Sequence, residues 1–92
     1  MIMKVFISGK VTGDKDYVKK FIAAEDKLKA EGYSVCNPVK ICSPSMSWKA
    51  CMKTCIRNLI MCEAIYQLPD WEDSRGGRIE GFIAKELNLK FL

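Results

Sequence analysis

Three short apolar runs, each closed by a glycine or a proline, alternate with stretches of helical spacing, and a fourth run ends the chain. Lys4-Val5-Phe6-Ile7 leads into Ser8-Gly9, Tyr33-Ser34-Val35-Cys36-Asn37 into Pro38, and Ala64-Ile65-Tyr66-Gln67-Leu68 into Pro69. Leu89-Lys90-Phe91-Leu92 is the last run. Runs this short between breakers read as strands buried in a parallel sheet.

The intervening stretches read as helices. Tyr17, Val18, Phe21, Ile22 and Leu28 share one face, with Glu25 the only polar interruption. Trp48, Met52, Cys55, Leu59 and Cys62 form the cleanest stripe, which places Trp48 in the core. Ile79, Phe82, Ile83 and Leu87 are expected to point inward from the last helix. Asp14 after the Thr12-Gly13 turn starts the first helix, Gly32 stops it, and Ser47 and Ser74 cap the others. Segment 39–46 reads as a loop, and Tyr66 as a core residue of its strand.

Strands alternating with helices over short connections predict a three-layer, doubly wound (Rossmann/flavodoxin-like) α/β domain spanning 1–92. Its four parallel strands are expected in the order 2-1-3-4, with helices on both faces. With 92 residues there is room for one core.

Charge and composition exclude several classes. Lys and Arg number 15 against 11 Asp and Glu, a net +4 too mild and too scattered for a nucleic-acid binder. Lys49, Lys53 and Arg57 form a stripe that reads as a solvated helix face. No apolar run approaches membrane-spanning length. The start resembles no signal peptide, so a cytoplasmic protein is expected. With 5 cysteines and no histidine, a zinc site from Cys36, Cys42, Cys51 and Cys55 matches no common ligand spacing. Reduced, buried thiols and no metal are the expectation, and no cofactor is implied.

In doubly wound sheets, ligands bind beyond the carboxyl ends of the strands at the switch point, which directs the search to segments 8–14, 37–46 and 69–80. The turn Ser8-Gly9-Lys10-Val11-Thr12-Gly13 passes from strand to helix through two glycines, which let a backbone approach a ligand. Asp73-Ser74-Arg75-Gly76-Gly77-Arg78-Ile79-Glu80-Gly81 opens the last helix. Three glycines there cost roughly 1 kcal/mol each relative to alanine, so something offsets them. An anion at the helix end, met by free amides and the Ser74 hydroxyl, is one such offset. Gly76, Gly77, Glu80 and Ala84 share a face, leaving Glu80 a carboxylate on a face cleared of bulk.

Phe6-Ile7-Ser8-Gly9 with Gly13, followed by Ser74-x-Gly76-x-x-x-Glu80, resembles the nucleoside 2-deoxyribosyltransferase superfamily, and most of all its short phage and bacterial members of unassigned function. Cys62-Glu63-Ala64-Ile65-Tyr66-Gln67-Leu68-Pro69-Asp70-Trp71 resembles the third strand and following Trp of those relatives. The resemblance implies glycosyl chemistry, with Glu80 attacking C1′ of a 2-deoxyribose as the base departs. Ser74, where nucleoside-specific members carry Asp, implies a 5′-monophosphate held by Ser74, Gly76 and the loop from Ser8 and Gly9 to Gly13. The sequence departs from the family at three points. Phe6 stands where the resemblance implies a Tyr whose hydroxyl orients the nucleophile, residues 52–58 carry no carboxylate where a catalytic Asp is usual, and Glu63 replaces an Asp. Asp70, Glu72 and Asp73 are candidate acids in compensation, and Trp71 a candidate stacking partner for the base.

Two functions stay open: a 2′-deoxynucleotide N-glycosidase or deoxyribosyltransferase-like enzyme, and a non-catalytic nucleotide-binding module with the same phosphate cradle. A small-molecule nucleotide is the expected partner. So small a domain is also expected to form a homo-oligomer.

Overall fold

The computed structural model describes residues 2–92. Its strands are β1 (Lys4–Ser8), β2 (Ser34–Cys36), β3 (Ala64–Gln67) and β4 (Lys90–Phe91). They form one parallel sheet in the order β2-β1-β3-β4, as the alternation predicts. The helices are α1 (Tyr17–Ala30), α2 (Pro38–Ile41), α3 (Trp48–Leu59) and α4 (Arg75–Glu86), with a 3-10 turn over Trp71–Asp73.

The two-residue period of β1 decides what lies on each side of the sheet. Val5 and Ile7 pack with Phe21, Ala24 and Leu28 of α1. Phe6 points the other way, into a cluster with Cys55 and Leu59 of α3, Ala84 of α4 and Ile65 of β3. Ser8 has the parity of Phe6, so its hydroxyl lies on the α3/α4 side. That parity positions the site described below. In register, Phe6 pairs with Ile65 and Ser8 with Gln67.

Local chemistry accounts for most element ends. Ser47 Oγ accepts from the Ala50 amide at 3.1 Å, and Ser74 Oγ from the Gly77 amide at 3.0 Å. Gly32, at φ +95°, ends α1 in a Schellman turn in which the Tyr33 amide reaches the Leu28 carbonyl at 3.1 Å.

The structure corrects five expectations. Helix α1 begins at Tyr17 rather than at Asp14, because the Asp14 carboxylate accepts from the Asp16 amide at 2.9 Å and holds a turn ahead of the helix. Within the expected loop 39–46, α2 forms because Pro38 is preset for a first helical turn and Asn37 caps it through the Val39 amide. Trp48 is 42% exposed rather than core, since it stands at the very start of α3, beyond the end of the sheet. Tyr66 is only half-buried, with the Lys27 ammonium 5.2 Å from its ring centroid.

The fifth correction concerns α4. Phe82 is 64% exposed and Leu87 50%, while Gly76, Gly77, Glu80, Gly81 and Ala84 face inward. The helix lies too close to its neighbours for large side chains. A Cβ on Gly77 would stand 2.7 Å from the Trp71 carbonyl oxygen, and one on Gly81 would stand 2.8 Å from Gln67 Nε2. Close packing therefore offsets the helix-propensity cost of these glycines, and it needs no ligand to do so.

Glu25, the polar interruption of α1, is buried at 4% exposure and fully paired. It takes Lys40 Nζ at 2.6 Å, Lys29 Nζ at 2.8 Å and Asn37 Nδ2 at 3.1 Å. Burial alone would raise this carboxyl, but the three donors win and hold it at about 2.

Candidate functional site: a carboxylate-bearing cleft at the carboxyl ends of the strands

A cavity of about 320 Å³ opens beyond the carboxyl ends of β1 and β3, the size of a small ligand site (roughly 300–1,000 Å³). One wall is the turn after β1, with Gly9, Val11 and Thr12. A second runs from Pro38 through Cys42 and Met46 to Trp48, and continues down α3 through Cys51, Met52 and Cys55. The third is the start of α4, with Ser74, Gly76, Gly77 and Glu80.

Glu80 is the one carboxylate that borders this cavity among the described residues, and it is 5% exposed. Its Oε1 accepts a 2.6 Å hydrogen bond from Ser8 Oγ, which lies fully buried at the end of β1. Burial pushes the Glu80 carboxyl up to about 7, against the Ser8 hydrogen bond, which favours the charged form. The group is therefore poised to ionise near neutrality. A carboxyl so placed can act as a nucleophile when charged and as a proton donor when neutral.

Ser74 and the α4 amides supply anion-binding potential beside it. The Gly77 amide is taken by Ser74 Oγ, and the Arg78 amide bonds the Ser74 carbonyl at 2.9 Å. The Arg75 and Gly76 amides precede the first intrahelical bond, so they are free to meet a ligand or water. The Ser74 hydroxyl proton is likewise free, since its oxygen is the acceptor in the cap. Outside this helix end, Lys10, Trp48, Arg75 and Arg78 line a shallower basin at the cleft mouth. The Arg75 guanidinium stacks 4.6 Å from the Trp48 ring centroid, and Arg78 is committed to the Glu72 carbonyl at 2.7 Å.

The structure brings Ser8, Gly9, Ser74, Gly76 and Glu80 together around the cleft. It places the other candidates elsewhere. Gly13 sits in an exposed turn at φ +81°, and its neighbours Val11 and Thr12 border the cavity in its stead. Asp70 is engaged by the Lys20 ammonium, which also holds Asp14, and it accepts from the Lys10 amide at 3.1 Å. That ion pair ties the β1 and β3 loops together; burial disfavours the Asp70 charge, but the Lys20 ammonium and the Lys10 amide hold its carboxyl below the ordinary value, and Asp70 does not border the cavity. Trp71 packs its ring against Gly81, 3.6 Å from where a Cβ would be, and lies outside the cavity. Asp73 is exposed and reaches only the outer basin. Glu63 stands at the opposite end of the sheet, where it accepts from the Lys4 amide at 2.9 Å.

The sequence reading missed the α3 wall and Trp48. A stripe facing a cavity has the same spacing as a stripe facing a core, so periodicity could not separate them. It also missed a disulfide. Cys42 and Cys51, expected as separate thiols, are bonded, because α2 and the following loop fold back on α3 and bring their Cα atoms to 5.5 Å. Cys36, Cys55 and Cys62 are free and buried, as expected.

No helix among the described residues is long and apolar enough to cross a membrane. A search of curated proteins finds no match to this chain. Residues 3–92 match the family described as "Domain of unknown function (DUF4406)", and the chain, over nearly its whole length, belongs to that family.

Proposed function

We propose that this protein acts on the N-glycosidic bond of a 2′-deoxynucleoside 5′-monophosphate, with Glu80 as the nucleophile at C1′. The observation that carries the reading is the buried Glu80 carboxylate, bordering a ligand-sized cavity and held by Ser8 beside the amino end of α4. In this reading the phosphate sits on the Ser74 hydroxyl and the Arg75 and Gly76 amides, and the sugar lies over Glu80. The carboxylate attacks C1′, the C1′–N bond breaks, and the base leaves with the electron pair and gains a proton. Water, or a second base, then cleaves the glycosyl ester and frees Glu80.

Ser8 takes on the orienting task that the resemblance gives to a Tyr at the position of Phe6. Both residues share one face of β1, and Ser8 is the one that bonds Glu80. Among the described residues no second carboxylate borders the cavity with Glu80, so in this reading the proton on the departing base comes from solvent or from another copy of the chain. A homo-oligomer working in the cytoplasm fits the same reading. The exposed apolar side chains of Ile60, Met61 and Phe82 support such association.

A second reading keeps the cradle and drops the chemistry. That Glu80 is the one carboxylate bordering the cavity among the described residues, and that Asp70 is paired with Lys20, favour a nucleotide-binding module. Incubation with a panel of 2′-deoxynucleoside 5′-monophosphates, with chromatography for free base, separates the two. Base release that disappears in Glu80→Gln supports the enzyme. Thermal protection by a nucleotide without release supports the binding module. Neither release nor protection sinks both readings.

A further inference from the structure

The α3 wall of the cleft carries chemistry that the nucleotide reading does not use. Cys55 Sγ stands 3.8 Å from Cys42 Sγ and 3.9 Å from Cys51 Sγ, and the three sulfurs lie within 4.8 Å of one another. They come from two elements: Cys51 and Cys55 lie one turn apart on α3, and Cys42 stands just after α2. All three side chains border the cavity.

We propose that, once the Cys42–Cys51 bond is reduced, Cys42, Cys51 and Cys55 form a three-thiolate site for a thiophilic divalent cation of the zinc class.

The distances favour a single tetrahedral ion. A metal–sulfur bond of about 2.3 Å in a tetrahedron sets its sulfurs about 3.8 Å apart. Two of the three edges already have that length. The third edge is the disulfide itself, and its Cα separation of 5.5 Å leaves room for the two sulfurs to part by rotation about their side-chain bonds. Soft sulfur ligands select such ions over magnesium or calcium.

The step balances. A dithiol reductant gives two electrons and two protons to the Cys42–Cys51 bond and becomes a disulfide. The two thiols so formed and the thiol of Cys55 then release three protons as they bind the cation. Simple thiol–disulfide exchange is the poorer use of the same cluster. Burial, together with the nearby Glu80 charge, pushes the Cys55 thiol up to about 12, so it is a weak attacker without a cation to displace its proton. This site does not depend on the nucleotide reading, and its test is independent of base release.

The probe is cobalt(II) alone, added anaerobically to the full chain after phosphine reduction and removal of the phosphine. The expected result is one equivalent bound, with the strong visible bands of tetrahedral cobalt and sulfur-to-cobalt charge transfer, bleached by zinc(II). The unreduced protein shows neither. Cys55→Ala weakens binding by at least the roughly ten- to hundred-fold that loss of even an outer-sphere partner costs. Cys42→Ala, half-buried at the edge of the core rather than within it, does the same. Cys36→Ala leaves the spectrum unchanged. A pale octahedral spectrum overturns the proposal, as does charge transfer that persists in both Cys55→Ala and Cys42→Ala.

Discussion

Ser8 Oγ donates to Glu80 Oε1 at 2.6 Å, joining the last residue of β1 to the second turn of α4 across 72 positions of sequence. Both groups are buried, and this bond is the one hydrogen bond to the Glu80 carboxyl among the described residues. The fold thus keeps a carboxyl in a place where burial disfavours its charge. Such a placement lowers stability wherever the group must carry its charge, a pattern that marks Glu80 as a candidate site residue rather than a core one.

The stability cost of Glu80 has a defined pH dependence. Its carboxyl sits at about 7 in the folded chain against 4.5 in the open chain. Stability from this group is full below pH 4.5 and is lost as pH rises through 7. Glu80→Gln, which can still accept from Ser8, is expected to be more stable than the parent by up to about 3 kcal/mol at pH 8. The gain should shrink toward zero below pH 4.5, as read by denaturant unfolding at each pH. An equal difference at both ends would refute the burial account.

Glu25 works with the opposite sign. Held at about 2 by Lys29, Lys40 and Asn37 despite its burial, it contributes stability above pH 4.5 that disappears as pH falls toward 2. Glu25→Gln should be less stable than the parent at pH 7 and close the gap in acid. Parallel unfolding curves for the two proteins across that range would count against the pairing.

Ser8→Ala removes the hydrogen bond that favours charged Glu80. The Glu80 carboxyl is then expected to rise further by about one unit, the equivalent of one charge-assisted hydrogen bond of about 1.5 kcal/mol. If the chain releases bases, the ascending limb of the pH–rate profile moves to higher pH by the same amount. NMR titration of the Glu80 side-chain carboxyl measures the shift directly, and an unmoved midpoint would refute it.

Gly77 and Gly76 are neighbours with different tolerances. A methyl at Gly77 meets the Trp71 carbonyl oxygen at 2.7 Å, where backbone cannot yield. Gly77→Ala should cost about 1–3 kcal/mol of overpacking, outweighing alanine's better helix propensity. A methyl at Gly76 meets Met52 Sδ at 2.9 Å, the flexible end of a side chain that can turn aside. Gly76→Ala should be near neutral in thermal unfolding. The reverse order would contradict the packing described.

On the nucleotide reading, the phosphate at the start of α4 lies beside the basin that the Arg75 guanidinium and Trp48 line. If the chain binds a deoxynucleoside monophosphate, Arg75→Ala should weaken it by about tenfold through loss of one nearby positive charge, and leave the parent nucleoside unchanged. Calorimetry on the pair checks this, and equal losses for both ligands would place Arg75 outside the phosphate contact.

The sequence by itself determined the layers, the strand order and the capping of α3 and α4, because each rests on local chemistry. Alternating short apolar runs and helical stripes admit few parallel topologies, and Ser47 and Ser74 cap helices wherever such helices form. Glu80 was also legible, as a carboxylate among glycines on one helix face. The tertiary structure alone decided what those features do. Packing against Trp71 and Gln67 turned the glycine face of α4 inward and left Phe82 outside, which spacing cannot reveal because both faces of α4 carry small or apolar residues. The path of the chain through α2 brought Cys42 to Cys51 and Cys55, and the Lys20 ion pair took Asp70 away from the cleft. These are contacts between residues distant in sequence or separated by a loop, set by how the elements dock rather than by the pattern within any one of them.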